Sequence, residues 1–469
     1  MRPLRTFIVT GIALFMVTLD NLIVTNALPA IRADLGTGLE GLEWTVNAYT
    51  LTFAVLLLPA GAVADRYGRR RLFVIGLALF TLASAAAALA PSIGALIAAR
   101  AVQGVGGAIL APLTLTLLAA AVPAARRPVA LAAWSVMSGL GVALGPVVGG
   151  AVTESASWEW IFWINVPPGL VVLALAPRFL AESRGPAQRL DLPGAALITA
   201  GLLGVVLGLV RGNGHGWTSA QVLAALVGGA ALLAAFVVRE ARTDHPMLPL
   251  GLFRSRGFTI VNLVGLTMAF AMFGTAFLLI QFLQAVLHMS PLEAGVRSLP
   301  WTGMPILAAP LTAPLAARIG PRNVLALALA CQAAGLGWIT AQLGPAVTYG
   351  ALVPGFVLAG VGMGLFFPPA ARLALAFAPP ALTGVASGVA NAGRQLGTLL
   401  GVAVLGAVFE AQGDMTSPGH FADGLAPAMW TATAALAAAA TVTLLAPSHT
   451  PDTAPVQADP RPDPIKIPA

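Results

Sequence analysis

The sequence of 469 residues is strongly apolar, with 58% hydrophobic and only 9% charged residues. Soluble proteins carry about 25% charged residues. This composition, with a mean hydropathy of +0.87, therefore excludes an ordinary globular enzyme, a disordered chain and a nucleic-acid-binding protein. The net charge of +7 does not indicate nucleic acid as a partner, because the charges fall in short clusters between apolar runs. One cysteine, Cys331, and scattered histidines give neither a disulfide framework nor a metal site.

The apolar runs between polar breaks predict the membrane spans. A helix needs about 20 residues to cross about 30 Å of hydrocarbon, and barrel strands would alternate over about ten residues. Run length therefore predicts fourteen helices, with twelve as the alternative count. The predicted spans are 6–28, 44–64, 72–90, 93–118, 129–152, 158–180, 191–211, 219–239, 257–287, 291–317, 323–342, 346–371, 383–409 and 425–445.

An internal repeat divides these spans. Residues 61–72 (GAVADRYGRRRL) match 313–324 (APLAARIGPRNV) at an offset of about 252, and 104–112 match 360–368 at about 256. The fold class we predict is an all-α membrane protein with two six-helix bundles plus two inserted helices. The predicted domains are an N-terminal bundle (1–185), the inserted pair with its linkers (186–256), a C-terminal bundle (257–445) and a disordered cytoplasmic tail (446–469).

Basic residues predict the orientation. Most of the 25 Lys and Arg residues fall in the loops on the side of the N-terminus, and only Arg32 and Arg211 fall in loops on the other side. Because cytoplasmic loops are enriched in basic residues, we expect both termini in the cytoplasm and a cell inner membrane location. The first outer loop, with Asp34, Glu40 and Glu43, is predicted to be acidic. A signal peptide at the N-terminus is disfavoured by the length of the first run.

A set of motifs in one order resembles the fourteen-helix drug–proton antiporters of the major facilitator superfamily. GAVADRYGRRR resembles the family's loop between helices two and three, and SGLGVALGPVVGG (138–150) its antiporter motif in helix five. The other matching segments are LDNLIVTNALPAI (19–31), ARAVQGVGGA (99–108), WEWIFWINVPPG (158–169) and SGVANAGRQLGTLLGVAV (387–404).

The resemblance implies a conformational latch in the first of these loops. The matching positions are Gly61, Asp65, Arg66, Gly68 and Arg69. A carboxylate among arginines also suggests charge-assisted bonds to a neighbouring helix end, although loop arginines alone would serve topology. The second-half loop has Ala317 in place of the acid, so only the first-half loop can make these contacts.

Asp20 is predicted to be the proton-coupling residue. It is the one carboxylate placed deep in a predicted span, where desolvation favours the protonated acid and intramembrane acids usually face a cavity. Arg100 falls at a similar depth, roughly 10–12 Å below the outer surface by helical rise, so the two could form an ion pair. The alternatives are an acid tied to Asn21 or Asn26 and a purely structural arginine.

Polar residues elsewhere in the spans predict the substrate cavity. Arg394 falls near a midplane, and Asn391, Gln395 and Thr398 share its helix face. An interdomain hydrogen-bond network is an equally good interpretation of this face. The predicted cavity residues are Asn26, Gln103, Asn165, Asn391, Arg394 and Gln395; Arg297 is a weaker candidate that could reach the interface.

Small residues recur in the fifth span. Glycines at four-residue spacing let helices approach closely, and a proline bends the helix. The residues are Gly141, Gly145, Pro146, Gly149 and Gly150. Gating and tight packing are both consistent with this pattern, and the resemblance to the antiporter motif favours export.

The function predicted from these features is proton-coupled export of hydrophobic small molecules by alternating access. The sequence has no nucleotide-hydrolysis, zinc or hydrolase motif, so we expect no enzymatic activity and no cofactor, with a proton gradient as the energy source. The partners expected are the substrate, protons and the lipid bilayer, with no nucleic acid and a functional monomer. Alternatives are a proton-coupled uptake symporter and a non-transporting membrane sensor.

Overall fold

The computed structural model describes residues 2–123, 126–185, 191–244, 246–344, 347–379 and 382–447. This part of the chain is helical and contains no strand. The helices are α1 (Arg2–Leu35), α2 (Leu39–Tyr67), α3 (Arg69–Ala88), α4 (Ile93–Ala121), α5 (Arg127–Ser155), α6 (Trp160–Trp163), α7 (Val166–Phe179), α8 (Leu192–His215), α9 (Ala220–Arg242), α10 (Arg256–Ala285), α11 (Pro291–Arg297), α12 (Leu299–Thr302), α13 (Met304–Ala308), α14 (Thr312–Ile319), α15 (Pro321–Gln342), α16 (Tyr349–Ala376), α17 (Thr383–Gln412) and α18 (Pro418–Thr443).

The chain is a multi-pass membrane protein. Thirteen helical segments in the described residues are long and apolar enough to cross a bilayer, with α6 and α7 counted together as Trp160–Phe179. They correspond to thirteen of the fourteen predicted spans. Backbone groups in hydrocarbon must be satisfied within the segment, and this is why apolar run length locates the helices so well.

The tenth predicted span, 291–317, is wrong as one continuous helix. It is divided into α11, α12, α13, a 3₁₀ turn (Ala309–Leu311) and α14. Pro300, Pro305 and Pro310 lie inside it. Each proline removes a backbone donor and its ring clashes with the preceding turn, so the helix is interrupted about every five residues.

The predicted acidic loop after the first span is also wrong. Helix α1 continues to Leu35 and α2 starts at Leu39, so the connection is only three residues long. Asp34 therefore lies in α1, and Glu40 and Glu43 lie in the first turns of α2. The prediction ended each span at the first charged residue, whereas these helices extend past the apolar stretch. The predicted 185/186 boundary and almost all of the predicted tail lie outside the described residues.

The repeat is visible in backbone geometry. Gly68, between α2 and α3, has φ +111°, and Gly320, between α14 and α15, has φ +83°. In both turns the glycine N–H donates to the carbonyl four residues earlier. A positive φ is strained for other residues, which explains why glycine occupies this position in both loops.

Three groups of helices make up the structure: the first half (α1–α7), the inserted pair (α8 and α9) and the second half (α10–α18). The inserted pair packs on α2 and α17, one helix from each half. Asp191 accepts hydrogen bonds from Arg239 at 2.7 and 2.9 Å and caps α8 at Gly194. This ion pair joins the start of α8 to the end of α9.

The two ends of the bundle differ. We call the end that carries Arg66 to Arg71 the basic end, and the other the opposite end. At the opposite end the main chain of α11 contacts α5. Leu292 N–H of α11 donates to Glu154 of α5 at 3.0 Å, and Gly150 of α5 lies against the carbonyl of Pro291. The opposite end is thus closed by contacts between the halves.

Candidate functional site

Asp20 lies at the centre of a buried polar network inside the first half. Its side chain is fully buried, and Arg100 NH1 lies 2.5 Å from Oδ2. Its other oxygen, Oδ1, accepts hydrogen bonds from Gln103 at 2.9 Å and Asn165 at 3.2 Å. A cation and two amide donors all favour the ionised carboxylate. Each oxygen of the Asp20 carboxylate thus has at least one donor in this conformation.

Arg100 is held from several sides. Its Nε donates to the carbonyl of Thr45 at 3.2 Å, and NH1 also donates to Gln103 Oε1 at 2.7 Å. The guanidinium lies over the ring of Tyr49, 4.4 Å from its centroid, and 5.8 Å from that of Phe162. Arginine keeps its charge at all accessible pH, so it is a fixed counter-charge for Asp20.

Several helices bring this network together. Arg100 and Gln103 are one turn apart on α4, so they share a face. Gly104 and Gly107 of α4 lie against Tyr49 of α2, where larger residues would overlap it. Asn165 sits at the break between α6 and α7, where its side chain reaches both Asp20 and Ser84. Close helix approach and a helix break thus position the amides.

The predicted cavity residues fall into three places. Gln103 and Asn165 are buried against Asp20 rather than lining a separate cavity. Asn26 is fully buried and donates to the carbonyls of Pro146 (2.5 Å) and Pro291 (3.0 Å). It therefore links α1 to α5 in the first half and to α11 in the second half. Gln284 of α10 donates to Asn26 Oδ1 at 3.1 Å, which strengthens the same link.

The third place is the face of α17 around Arg394. Arg394 donates to Asn391 at 2.8 Å and is partly buried, as is Gln395. The guanidinium of Arg394 forms no ion pair within the described residues. A cation without a counter-ion near the middle of a span can bind a polar or anionic group.

An apolar cavity of about 300 Å³ lies against another face of α17, and neither Asn391, Arg394 nor Gln395 is part of its lining. It is formed between α2, α8, α9, α10 and α17, and Gly393 and Leu396 are part of its wall. Its polar lining is limited to Thr259 and Asn262. Ligand pockets are usually apolar with a few polar groups, and this cavity has that composition.

The predicted latch loop contacts its own half. Asp65 pairs with Arg69 at 2.8 Å, and the carbonyl of Asp65 accepts the N–H of Gly185 at 3.1 Å. Glu182 accepts the backbone N–H groups of Arg70 (3.0 Å) and Arg71 (3.2 Å) at the start of α3. The segment after α7 therefore holds this loop at the basic end. Gly61 has open space beside it, and Arg66 stacks on Tyr67.

The glycines of α5 face α1. Gly141 lies against Thr18, Gly145 against Leu22 and Gly149 against Ile23. A Cβ added at Gly145 would lie 2.8 Å from the Leu22 Cβ, which is too close for a stable contact. Gly150 faces α11 instead, across the boundary between the halves.

Sequence reasoning missed Glu43. It lies in α2 with 1% of its surface exposed, so Asp20 is not the one carboxylate buried in a span. Leu39, Leu42 and Val46 continue the helical apolar pattern around it. That pattern was the available signal that the second span begins before residue 44.

The match to a family model decides the family. The model of the Major Facilitator Superfamily matches residues 10–402, and again 261–466. The chain belongs to the major facilitator superfamily.

Three relatives within this superfamily cover most of the chain. It is 34% identical to the tetracenomycin C resistance and export protein of Streptomyces glaucescens, over 91% of this chain and 79% of the relative. It is 37% identical to the multidrug resistance protein Stp of Mycobacterium tuberculosis, over 87% and 76%. It is 40% identical to the cephamycin export protein CmcT of Amycolatopsis lactamdurans, over 83% and 82%.

Solved structures agree with the major facilitator fold. The peptide transporter POT in complex with sulfate superposes with a TM-score of 0.70 at 16% identity, over 94% of each chain. A D-xylose-proton symporter gives 0.68 at 13% identity, over 95% of this chain and 98% of that one. At these identities the likeness establishes the fold alone.

Proposed function

We propose that this chain exports hydrophobic small molecules, such as antibiotics, from the cell in exchange for protons. Three relatives at 34 to 40% identity are named for resistance to, or export of, antibiotics and drugs. The observation that carries the proposal is the buried Asp20–Arg100 pair, because ionisable residues inside a membrane span are energetically costly and typically mark proton or substrate pathways.

The proposed cycle uses the pair as a switch. In the present conformation the Asp20 carboxylate is paired with Arg100. Protonation of Asp20 would remove the anion and weaken both the ion pair and the amide contacts around it. The neutral acid would then favour a conformation in which α1 and α4 are arranged differently. A bound proton thus changes the preferred conformation, as alternating access requires.

The orientation follows from charge. The basic end carries Arg66, Arg69, Arg70 and Arg71, and we place it in the cytoplasm. In this proposal both termini lie in the cytoplasm, the chain lies in the cell inner membrane, and the end closed by contacts between the halves faces away from the cytoplasm. We propose that it works as a monomer, with no cofactor and no enzymatic activity.

The substrate would bind beside α17. The apolar cavity of about 300 Å³ suits a hydrophobic molecule, and Thr259 and Asn262 in its lining offer it hydrogen bonds. Moving one charge across 100 mV yields about 2.3 kcal/mol, which is enough to sustain a concentration ratio of roughly fifty.

A susceptibility panel tests the proposal. Cells with and without the gene are compared over apolar antibiotics, with and without an uncoupler. We expect resistance to at least one compound, lost with the uncoupler and lost in Asp20→Asn. In inverted membrane vesicles, substrate should release protons from the lumen; the opposite sign of proton movement would indicate uptake. Absence of flux for every compound would indicate a sensor.

A further inference from the structure

Glu43 is a buried acid that the Asp20 network does not use. It lies in the first turn and a half of α2, 1% exposed, and its Oε1 has no hydrogen-bond partner among the described residues. No ion pair joins it to a basic side chain in that part of the chain. Glu43 is therefore a buried acid without a counter-charge in the described residues.

The groups around Glu43 are negative or neutral. The charged groups that act on it are Glu410 of α17 and Glu40 of its own helix. Arg211 of α8 is the nearby cation, and its Nε binds Glu40 at 3.0 Å instead. Asn213 of α8 uses its amide on the carbonyl of Ala407, at 2.6 Å.

Asn47 is a second, independent sign of an incomplete site. It is fully buried one turn further along α2, on the same helix face as Glu43. Neither its Nδ2 nor its Oδ1 has a hydrogen-bond partner in the described residues. Buried amides are nearly always paired, so an open donor and acceptor beside a buried acid indicate a position where a proton or a hydrogen-bonding group is exchanged.

Glu43 is buried without a counter-charge, and this favours its neutral form. An ionised carboxylate in such a place is far less favourable than the neutral acid, and the group takes up a proton instead. Asp20 shows the contrast, because it is equally buried but has Arg100, Gln103 and Asn165 as partners. One conformation therefore contains a buried acid with a counter-charge and a buried acid without one.

The position of Glu43 links its proton to a movement. Its Oε1 occupies the space beside Gly406 of α17 that any larger residue there would fill. Helix α2 belongs to the first half and α17 to the second, so the carboxyl group is enclosed by both. If the halves separate at the opposite end, water reaches Glu43 and the anion becomes favourable.

We propose that Glu43 is a second proton-binding site, occupied while the α2–α17 contact is closed and emptied into water when that contact opens. This inference rests on the proposed proton exchange, and it adds a distinct proton to it. Acidity at the opposite end then promotes closure of that end, independently of Asp20.

Infrared difference spectroscopy tests the proton directly. The full chain is purified into lipid nanodiscs and the protonated-carboxyl band is compared at pH 7 in wild type, Glu43→Gln, Glu40→Gln and Glu410→Gln. We expect loss of one band in Glu43→Gln that persists in Glu40→Gln. A spectrum unchanged by Glu43→Gln, or loss of that same band in Glu410→Gln with Glu43 intact, would overturn the proposal.

Spin-label distances test the link to movement. Labels are placed at Ala33→Cys in α1 and Gln412→Cys in α17, in a Cys331→Ser, Asp20→Asn background that removes the first acid. We expect the distance to lengthen as the pH rises, and Glu43→Gln to keep the short distance at every pH. Equal pH dependence in both proteins would overturn the proposal.

A second variant covers a failure of Glu43→Gln to fold. Gly406→Ala keeps the acid but pushes the carboxyl group out of its enclosed position, so the Glu43 band should shift and the short distance should be lost. An unshifted band would contradict the assignment.

None of these measurements needs a substrate, so they test this inference separately from the export proposal. A negative susceptibility panel would leave their results unaffected. Conversely, resistance can persist even if these measurements contradict the inference.

Discussion

The guanidinium of Arg100 lies 4.4 Å from the ring centroid of Tyr49 while its NH1 binds Asp20. The cation is thus covered by an aromatic face on one side and neutralised by an anion on another. Cations over aromatic faces gain about 0.5–2 kcal/mol, with the larger values in desolvated sites. This arrangement lets the protein hold a permanent charge in its interior through both protonation states of Asp20.

A single and a double variant distinguish the structural role of the Asp20–Arg100 ion pair from its role in transport. Removing one partner of a buried pair costs about 3–5 kcal/mol because the other charge stays uncompensated. Asp20→Asn should therefore lower the thermal unfolding midpoint of the purified protein as well as abolish proton-driven efflux. The double variant Asp20→Asn, Arg100→Gln should recover most of the unfolding midpoint and none of the transport.

The readouts are thermal unfolding in detergent and efflux in cells. Transport at the normal rate in Asp20→Asn would contradict the coupling role. Recovery of transport in the double variant would show that the pair is only structural.

Larger side chains at the α5 glycines that face α1 should abolish transport. Gly145→Leu places its side chain on Leu22, so we expect loss of transport with normal amounts of protein in the membrane. Gly139→Leu on the same helix is the matched control, because no atom lies within 4 Å of a Cβ there. Immunoblots of membranes and a resistance assay compare the two; equal resistance in both would refute the close-packing role.

Glu182 should hold the start of α3. Its carboxylate accepts two N–H groups where the helix dipole is positive, and such an interaction is worth about 0.3–1 kcal/mol. Glu182→Gln should therefore speed hydrogen exchange at Arg70 and Arg71 by roughly two- to fivefold, as this free energy implies. Glu293→Gln removes an ion pair with Arg297 at the other end of the molecule and should leave that exchange unchanged.

The inserted pair should be released by acid. Hydrogen bonds from Arg239 hold the pKa of Asp191 below its ordinary value. A lowered pKa means that the stabilisation is complete above the unfolded value of about 3.9 and is lost as the pH falls through the lower folded value. Between pH 5 and 8 the Asp191–Arg239 ion pair itself should therefore stay intact.

Hydrogen exchange in the first turn of α8 measures this. Asp191→Asn should loosen that turn at every pH, whereas Asp244→Asn, at an exposed position nearby, should not. In Glu240→Gln, which removes the acid next to Asp191, a first turn of α8 that still loosens between pH 5 and 8 would contradict the assignment to Asp191.

Hydropathy predicted most of the fold because a bilayer demands long apolar helices. Similar depth along two helices allowed an ion pair between Asp20 and Arg100, and the structure contains that pair. Depth does not give the direction in which a side chain points, so the amides of Gln103 and Asn165 could not be assigned to Asp20 from sequence. Glu43 was missed for another reason: an acid was taken as the end of a span, and only the packing of α17 against α2 shows that it is buried.

Where Gly150 of α5 meets Pro291 of α11, the two halves contact each other through main-chain atoms. Glycine has no rotamers to lose, and ordering a long side chain costs up to about 2 kcal/mol. The Gly150–Pro291 contact itself therefore adds almost no penalty in conformational entropy each time it forms in the proposed cycle. The same contact is sensitive to substitution. A methyl group at position 150 would lie 2.2 Å from the Pro291 carbonyl oxygen and would prevent the two halves from closing at this end.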